Sequence, residues 1–236
     1  MTTPTTLVMA YYENARMLER HYHLIRNLPF PVRDQISVII VDDGSPNAPA
    51  YGADLNGVAL QVYRLRQDVR WNQDACRNIG VAHAETDWVF LTDMDHMVPE
   101  RTWVSVVLRN HAPERAYQFA RVSEPDMMPY KHHPNTWFMT RKLYDKIGGY
   151  DERFAGYYGT DGDFSTRLRG LAKVAMFKEP VIRVPRGVTP DASTTTYLRK
   201  QPEDKPMIEK IMNERSQIKD WKPLRGLFAY DKVFSN

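Results

Sequence analysis

The chain predicts an α/β fold: an open, mostly parallel sheet flanked by helices, with a C-terminal helical extension. Three observations predict it. Short β-prone runs alternate with stretches of helical period through the first part of the chain, the order that builds a parallel sheet with helices on its faces. Two of the runs, residues 36–41 and Trp88-Val89-Phe90-Leu91, are apolar without alternation, as strands buried on both faces are. Carboxylates follow both runs, in Asp42-Asp43-Gly44-Ser45 and Asp93-Met94-Asp95. Ligands of open parallel sheets bind at such strand ends.

The elements can be justified in order. Residues 6–11 form the first strand. Met17, Leu18, Tyr22, Ile25 and Leu28 then recur at helical spacing, which predicts a helix over 14–27, ended by Pro29 and Pro31. The run 36–41 completes a strand–helix–strand unit of the length that a right-handed crossover needs. A strand over 58–65, a helix over 73–85 with Ala75, Ile79 and Ala82 inward, and the Trp88 strand follow. The second part is less regular. A helix is expected over 101–110, a strand over 117–122, a long loop over 124–135, a strand over 136–140 and a helix over 141–147 that stops at Gly148-Gly149. Residues 174–184 make a strand or two. Residues 204–218 read as a helix, and the tail from Trp221 mixes aromatic and basic residues.

Composition narrows the classes. With 236 residues, 42% of them hydrophobic, the chain can bury one sizeable core. A net charge of +3 makes no case for nucleic acid. Cys76 is the single cysteine, so no internal disulfide can form and a reducing compartment fits. Residues 1–6 show no leader pattern, and no apolar run approaches a membrane span. The expectation is a soluble, cytoplasmic protein that a partner could hold at a membrane surface.

The acidic pair Asp93 and Asp95 suggests a hard cation riding on substrate phosphates, although Asp also suits turns and helix caps. Asp42 and Asp43 also suit a turn. Asp161 and Asp163 could cap a helix, and Arg77 could be a solvated helix charge. His132 and His133 are adjacent and lack partners at ligand spacing, so they read as loop residues. Cys76 reads as a small core residue.

Taken together, Ala10-Tyr11-Tyr12-Glu13, Asp42-Asp43-Gly44-Ser45, Ala75-Cys76-Arg77-Asn78-Ile79-Gly80, Asp93-Met94-Asp95, the segment 148–154 and the segment 156–164 resemble the inverting glycosyltransferases of family 2 type, with a galactosyltransferase-like acidic motif toward the C-terminus. The resemblance covers residues 6–185 and implies the GT-A fold. It divides the chain into a GT-A domain, 1–198, and a helical extension, 199–236. The nucleotide-sugar half would span 1–98 and the acceptor half 99–198. The implied activity is metal-dependent, inverting transfer from a nucleoside-diphosphate sugar to a hydroxyl of a glycan or other acceptor, with Mn²⁺ or Mg²⁺ as cofactor. Ala10, Tyr11, Tyr12 and Glu13 would touch the nucleotide, and Asp42 its base or ribose. Arg77 and Asn78 would lie beside it. Asp93, with Met94, would face the ribose side, and Asp95 would hold the metal. Asp161 would be the catalytic base, with Tyr157 and Thr160 on the acceptor side. The start of a helix at Asp161 should hold that carboxylate ionised.

Two departures stand out. Thr160 occupies a position where relatives often carry Glu. The histidine that many relatives supply to the metal from downstream has no counterpart, since the last histidine, His133, precedes Asp161; Asp191 is the available substitute. A GT-A-like binding domain without turnover is one alternative. A sugar nucleotidyltransferase is another, but the Gly-rich phosphate loop it needs after the first strand is replaced by Ala10-Tyr11-Tyr12-Glu13.

Overall fold

The structure is a computed structural model that describes residues 2–130, 132–185, 187–188 and 201–236. Asp191 lies outside the described residues. Four strands, β1 (Thr5–Tyr11), β2 (Ile36–Asp42), β3 (Ala59–Leu65) and β4 (Trp88–Asp93), run parallel in the order β4-β1-β2-β3. On the far side of β4, β7 (Trp137–Thr140) pairs antiparallel, then β5 (Arg115–Ser123). β5 carries the two-residue β6 (Pro129–Tyr130) in a hairpin and pairs in parallel with β8 (Lys173–Val184). The expected long loop over 124–135 thus contains a short hairpin strand.

The alternating faces of the strands bury two cores. Leu7, Met9, Val38, Ile40 and Phe90 point to one face, where α1 (Ala15–Arg26) supplies Met17, Leu18, Tyr22 and Ile25. The helices α2 (Phe30–Arg33) and α4 (Glu100–Val107) sit on this side with Val32, Trp103, Val106 and Val107. Val8, Ala10, Ile39, Val41, Val89 and Leu91 point to the other face, against α3 (Gln73–His83), α5 (Arg141–Ile147) and α6 (Asp161–Leu171). α3 lies so close to β1 that a Cβ on Gly80 would meet Val8 Cγ1 at 2.3 Å. Asn14 caps α1 by accepting from Met17 N, and Thr140 caps α5 by accepting from Leu143 N.

The C-terminal extension forms its helix, α7 (Asp204–Ser216), but does not end as a helix. Residues Tyr230–Ser235 return to the sheet as β9, antiparallel on the outer edge of β3. The sequence-based expectation of a purely helical extension is corrected here. The tail covers the edge strand β3, which would otherwise leave unpaired backbone groups exposed.

Candidate active site

The carboxyl ends of β1, β2 and β4 are brought side by side, with Tyr11 opposite Asp42 and Ala10 opposite Asp93. Ala10 and Tyr11 are buried there, and burial raises the Tyr11 phenol to about 12. Tyr12 donates to Asp68 Oδ2 at 3.2 Å. Glu13 holds a positive φ of 46° and accepts from Asn47 N at 2.8 Å.

The turn after β2 is closed by the protein itself. Asp42 is fully buried; its Oδ1 accepts from Ser45 N at 3.0 Å and Ser45 Oγ at 2.6 Å. Its Oδ2 accepts from Tyr51, and Arg64 Nε lies 3.6 Å away. Protein groups thus engage both carboxylate oxygens of Asp42, the residue expected to hold a base or ribose. Asp43 Oδ2 accepts from Asn72 N at 3.0 Å. Asn72 itself is buried, and its side-chain amide has no hydrogen-bond partner among the described residues. Sequence reasoning did not single out Asn72.

α3 is buried on nearly every side, so Arg77 is no solvated helix charge. Its Nη2 donates to Gln73 Oε1 at 2.7 Å and to Asp93 Oδ1 at 2.5 Å, and its guanidinium lies over the Tyr150 ring at 5.1 Å. Burial opposes its charge, yet Asp93, Tyr150, Asp74 and Asp161 raise its pKa above the ordinary arginine value. Asn78 faces the other way. Its Nδ2 donates to Tyr150 O and Glu152 Oε1, while its Oδ1 accepts from Tyr144 OH and Tyr150 N. That uses the whole amide, so Asn78 shapes the segment 149–152 instead of contacting nucleotide. The approach is tight: a Cβ on Gly149, whose φ is 69°, would sit 2.6 Å from Asn78 Oδ1.

Past β4 lies a set of donors that the sequence reading did not assemble. One ligand atom each from Asp93, His96 and His133 lies within 4.8 Å of the others. His133 Nε2 is 3.2 Å from Asp93 Oδ2. His133 lies in a loop, as expected, but the topology brings it to Asp93: β7 runs antiparallel to β4, so the loop before β7 meets the end of β4. Asp95, the expected metal ligand, is not in this set. Its Oδ1 instead pairs with His96 Nδ1 at 2.6 Å, and His96 Nε2 accepts from Arg121. Met94 is buried, and its carbonyl accepts from His21 Nε2 at 2.8 Å. Burial lowers His21 to about 4 and His133 to about 3, so both imidazoles are neutral at pH 7. Burial opposes the charge of Asp93, but His133 and Arg77 hold its carboxyl below the ordinary range.

The remaining expected residues lie at and just before the start of α6. Asp161 is its first residue and accepts from Asn135 Nδ2 at 2.6 Å; Tyr150 OH in turn donates to Asn135 Oδ1 at 3.1 Å. Burial raises the Asp161 pKa, against the lowering pull of Arg77 and Asn135. The helix start is expected to favour the carboxylate; burial and the neighbouring Asp93 push the other way. Thr160 is buried and donates to Asp74 Oδ2 at 3.3 Å. Asp74 is buried beside Arg77, and burial raises it to about 7. Tyr157 is half-buried in the preceding loop, where Gly156 N donates to Trp71 O at 2.7 Å and Tyr158 packs edge-on against Trp71.

Comparison with known proteins adds the lineage. Structures similar to this one include TarS 1–349 of S. aureus in complex with UDP-GlcNAc, with a TM-score of 0.63, 13% identity, 81% of this chain covered and 61% of that one. A structure of GalNAc-T7 with UDP, GalNAc and Mn²⁺ aligns with a TM-score of 0.59, 14% identity, 78% of this chain covered and 44% of that one. The chain thus spans about 60% of the TarS 1–349 length, and at these identities the likeness establishes a shared GT-A fold. No curated protein matches the sequence. The family model for glycosyl transferase family 2 matches residues 6–174, a span that covers β2, β3, β4 and all but the first residue of β1, together with Arg77, Asp93, His133 and Asp161. The chain belongs to glycosyl transferase family 2.

Proposed function

We propose that the chain moves a sugar from a nucleoside diphosphate to a hydroxyl acceptor with inversion, using Mn²⁺ and Asp161 as base. One observation carries this reading: the Asp93–His96–His133 donor set and the Asp161 carboxylate flank one buried guanidinium, Arg77. The similar structures bound to UDP-GlcNAc, and to UDP, GalNAc and Mn²⁺, support a UDP-sugar donor.

The residues fit a divalent ion. Asp93, His96 and His133 offer one carboxylate and two imidazoles, and burial keeps that of His133 neutral. Imidazole suits transition metals, whereas Mg²⁺ prefers oxygen ligands and keeps several waters, so this set favours Mn²⁺ over Mg²⁺. Such an ion supplies charge neutralisation on a leaving diphosphate. Asp95 pairs with His96 Nδ1, so His96 would turn Nε2 to the ion and give up its bond from Arg121.

The chain's own groups do the rest. Arg77 stays charged and adds positive potential beside the diphosphate position. Asp161 is set by Asn135 and accepts the proton of the attacking hydroxyl. Its raised pKa brings it closer to the working pH, which favours general-base action. Attack from the Asp161 side, opposite the leaving diphosphate, inverts the anomeric carbon in one displacement. Cys76 is free and buried, as suits a reducing compartment.

The test measures UDP release and product anomer from UDP-GlcNAc and UDP-GalNAc with Mn²⁺ and a panel of sugar acceptors. Asp161→Asn should lower turnover by about 10²–10⁴-fold, the range of general-base contributions, with donor binding unchanged. His133→Ala should abolish the Mn²⁺ dependence. Near-normal turnover in Asp161→Asn, or a product that retains the donor's configuration, would overturn the reading.

A further inference from the structure

The family match ends at residue 174, so α7 lies outside it. Yet α7 touches the site with both ends. At its start, Asp204 is buried and forms a two-pronged ion pair with Arg70, with a second bond from Nη1 to Oδ2 at 3.1 Å. Arg70 immediately precedes Trp71, whose carbonyl and ring hold Gly156 and Tyr158. At its end, Arg215 Nη2 pairs with Asp163 Oδ1 at 2.6 Å, in the same first turn of α6 as Asp161. The Arg215 guanidinium lies over the Trp221 ring at 3.8 Å, and Arg167 closes on Asp163 from α6 itself.

Between these ends α7 is thinly attached. Asp204 is its one buried residue; Met207, Ile208 and Ile211 are half-buried and the rest is largely exposed. Apolar burial therefore contributes little to its seat, and the two end clasps fix it. Beyond α7 the chain continues the grip. Leu224 N donates to Asp151 Oδ1 at 3.2 Å, and Leu227 N donates to Glu152 Oε2 at 2.7 Å. The segment 149–163, which leads into the proposed base, thus lies against the tail along much of its length.

We propose that α7 is a clamp on the acceptor side of the site, with Arg215 and Asp204 as positioning residues for the loop 156–160 and for Asp161. This rests on the reading of Asp161 as the base. Arg215 and Asp204 touch no reacting atom; they act through Asp163 and Arg70.

The experiment uses the full chain, with Arg215→Met, Arg215→Lys and Asp204→Asn. Amide hydrogen exchange is followed in residues 156–165 and in the strands β1 and β2, alongside UDP-GlcNAc binding and UDP release with Mn²⁺. In Arg215→Met, exchange in 156–165 should rise about tenfold or more while the strands stay protected, because local opening is governed by local contacts. Donor affinity should hold, and UDP release should fall at least tenfold. Arg215→Lys should recover part of the loss, since it restores charge without the planar fork. Asp204→Asn should show the same pattern centred on 156–160. Unchanged exchange in both Arg215→Met and Asp204→Asn would overturn the clamp whether or not the chain turns over. If exchange rises but UDP release is intact while Asp161→Asn abolishes it, positioning is wrong and the base reading stands. If Asp161→Asn also leaves release intact, the base reading fails, and exchange alone decides the clamp.

Discussion

The turn after β2 and the turn after β4 each place two aspartates at the carboxyl end of a parallel strand, and in the sequence they carry the same signature. Their surroundings differ. Asp42 is met by a hydroxyl and an amide of Ser45, the Tyr51 phenol and Arg64. Around the second turn, Asp93, Asp74 and Asp161 all face Arg77, so three carboxylates share one guanidinium. Burial raises Asp74 and Asp161, and the neighbouring carboxylates add to it. Two adjacent acids mark a strand end; the groups folded over them decide between a structural knot and a binding site.

The sharpest test of this difference is pH. Asp74 titrates near 7 in the fold and near 3.8 in an unfolded chain, so the folded state binds the extra proton between those values. Stability from this group is fully present below about pH 4 and is lost as pH rises through about 7. At about 1.4 kcal/mol per pKa unit, roughly three units correspond to about 4 kcal/mol. His21 and His133 act in the opposite sense, since their lowered pKa values give stability that is lost as pH falls below about 6.5. The measurement is therefore the difference between wild type and Asp74→Asn in urea unfolding from pH 4 to pH 8. The amide can still accept from Thr160, so the variant should gain on the wild type steadily across that range. Parallel curves would show that the Arg77 cluster is compensated after all, and would erase its contrast with the Asp42 turn.

How far the sequence discloses this contrast follows from which interactions are local. The strands are legible because apolar runs such as residues 36–41 must be buried on two faces, and Asp93 is legible because it follows one. Asp161 can be read from its glycine-flanked acidic loop. His133 cannot, because its partner Asp93 is reached only through the β4–β7 pairing. Asn78 misleads for a related reason. A polar residue in a helix beside the site looks like a ligand contact, and only the fold reveals that the backbone of Tyr150 and the carboxylate of Glu152 use up its amide. β9 is obscure because its residues are mostly exposed, so little alternation marks it, and its partner β3 is remote in the chain.

A smaller effect probes the closed turn. Asp42→Ala leaves Ser45, Tyr51 and Arg64 without their acceptor, at about 1–3 kcal/mol for each buried donor not re-satisfied. With one such donor left unsatisfied, at about 2.5 kcal/mol, the expected outcome is a melting temperature lower by roughly 5–10 °C, on the scale of 2–4 °C per kcal/mol for a domain of this size. UDP affinity, measured well below that temperature, should stay within about threefold, less than the tenfold that 1.4 kcal/mol represents. A large loss of UDP affinity with an unchanged melting temperature would return Asp42 to the ligand side and remove the distinction between the turns.

The smallest effect concerns Asp95, where two roles predict different variants. If Asp95 orients His96 by accepting from its Nδ1, the geometry seen at 2.6 Å, then what matters is an acceptor atom in place. Asp95→Asn keeps an oxygen there and should weaken Mn²⁺ binding by less than about tenfold. Asp95→Ala removes it and should cost about 10–100-fold, the usual range for partners behind a metal-bound histidine. If Asp95 were itself the ligand, the neutral amide would be a poor substitute for the carboxylate, and both variants would fail alike, as Asp93→Asn should. Calorimetric titration of Mn²⁺ into the three variants separates the cases. Asn behaving like the wild type while Ala is weakened places Asp95 behind His96; Asn behaving like Ala places it on the ion, and the second turn would then hold its metal through both of its acids.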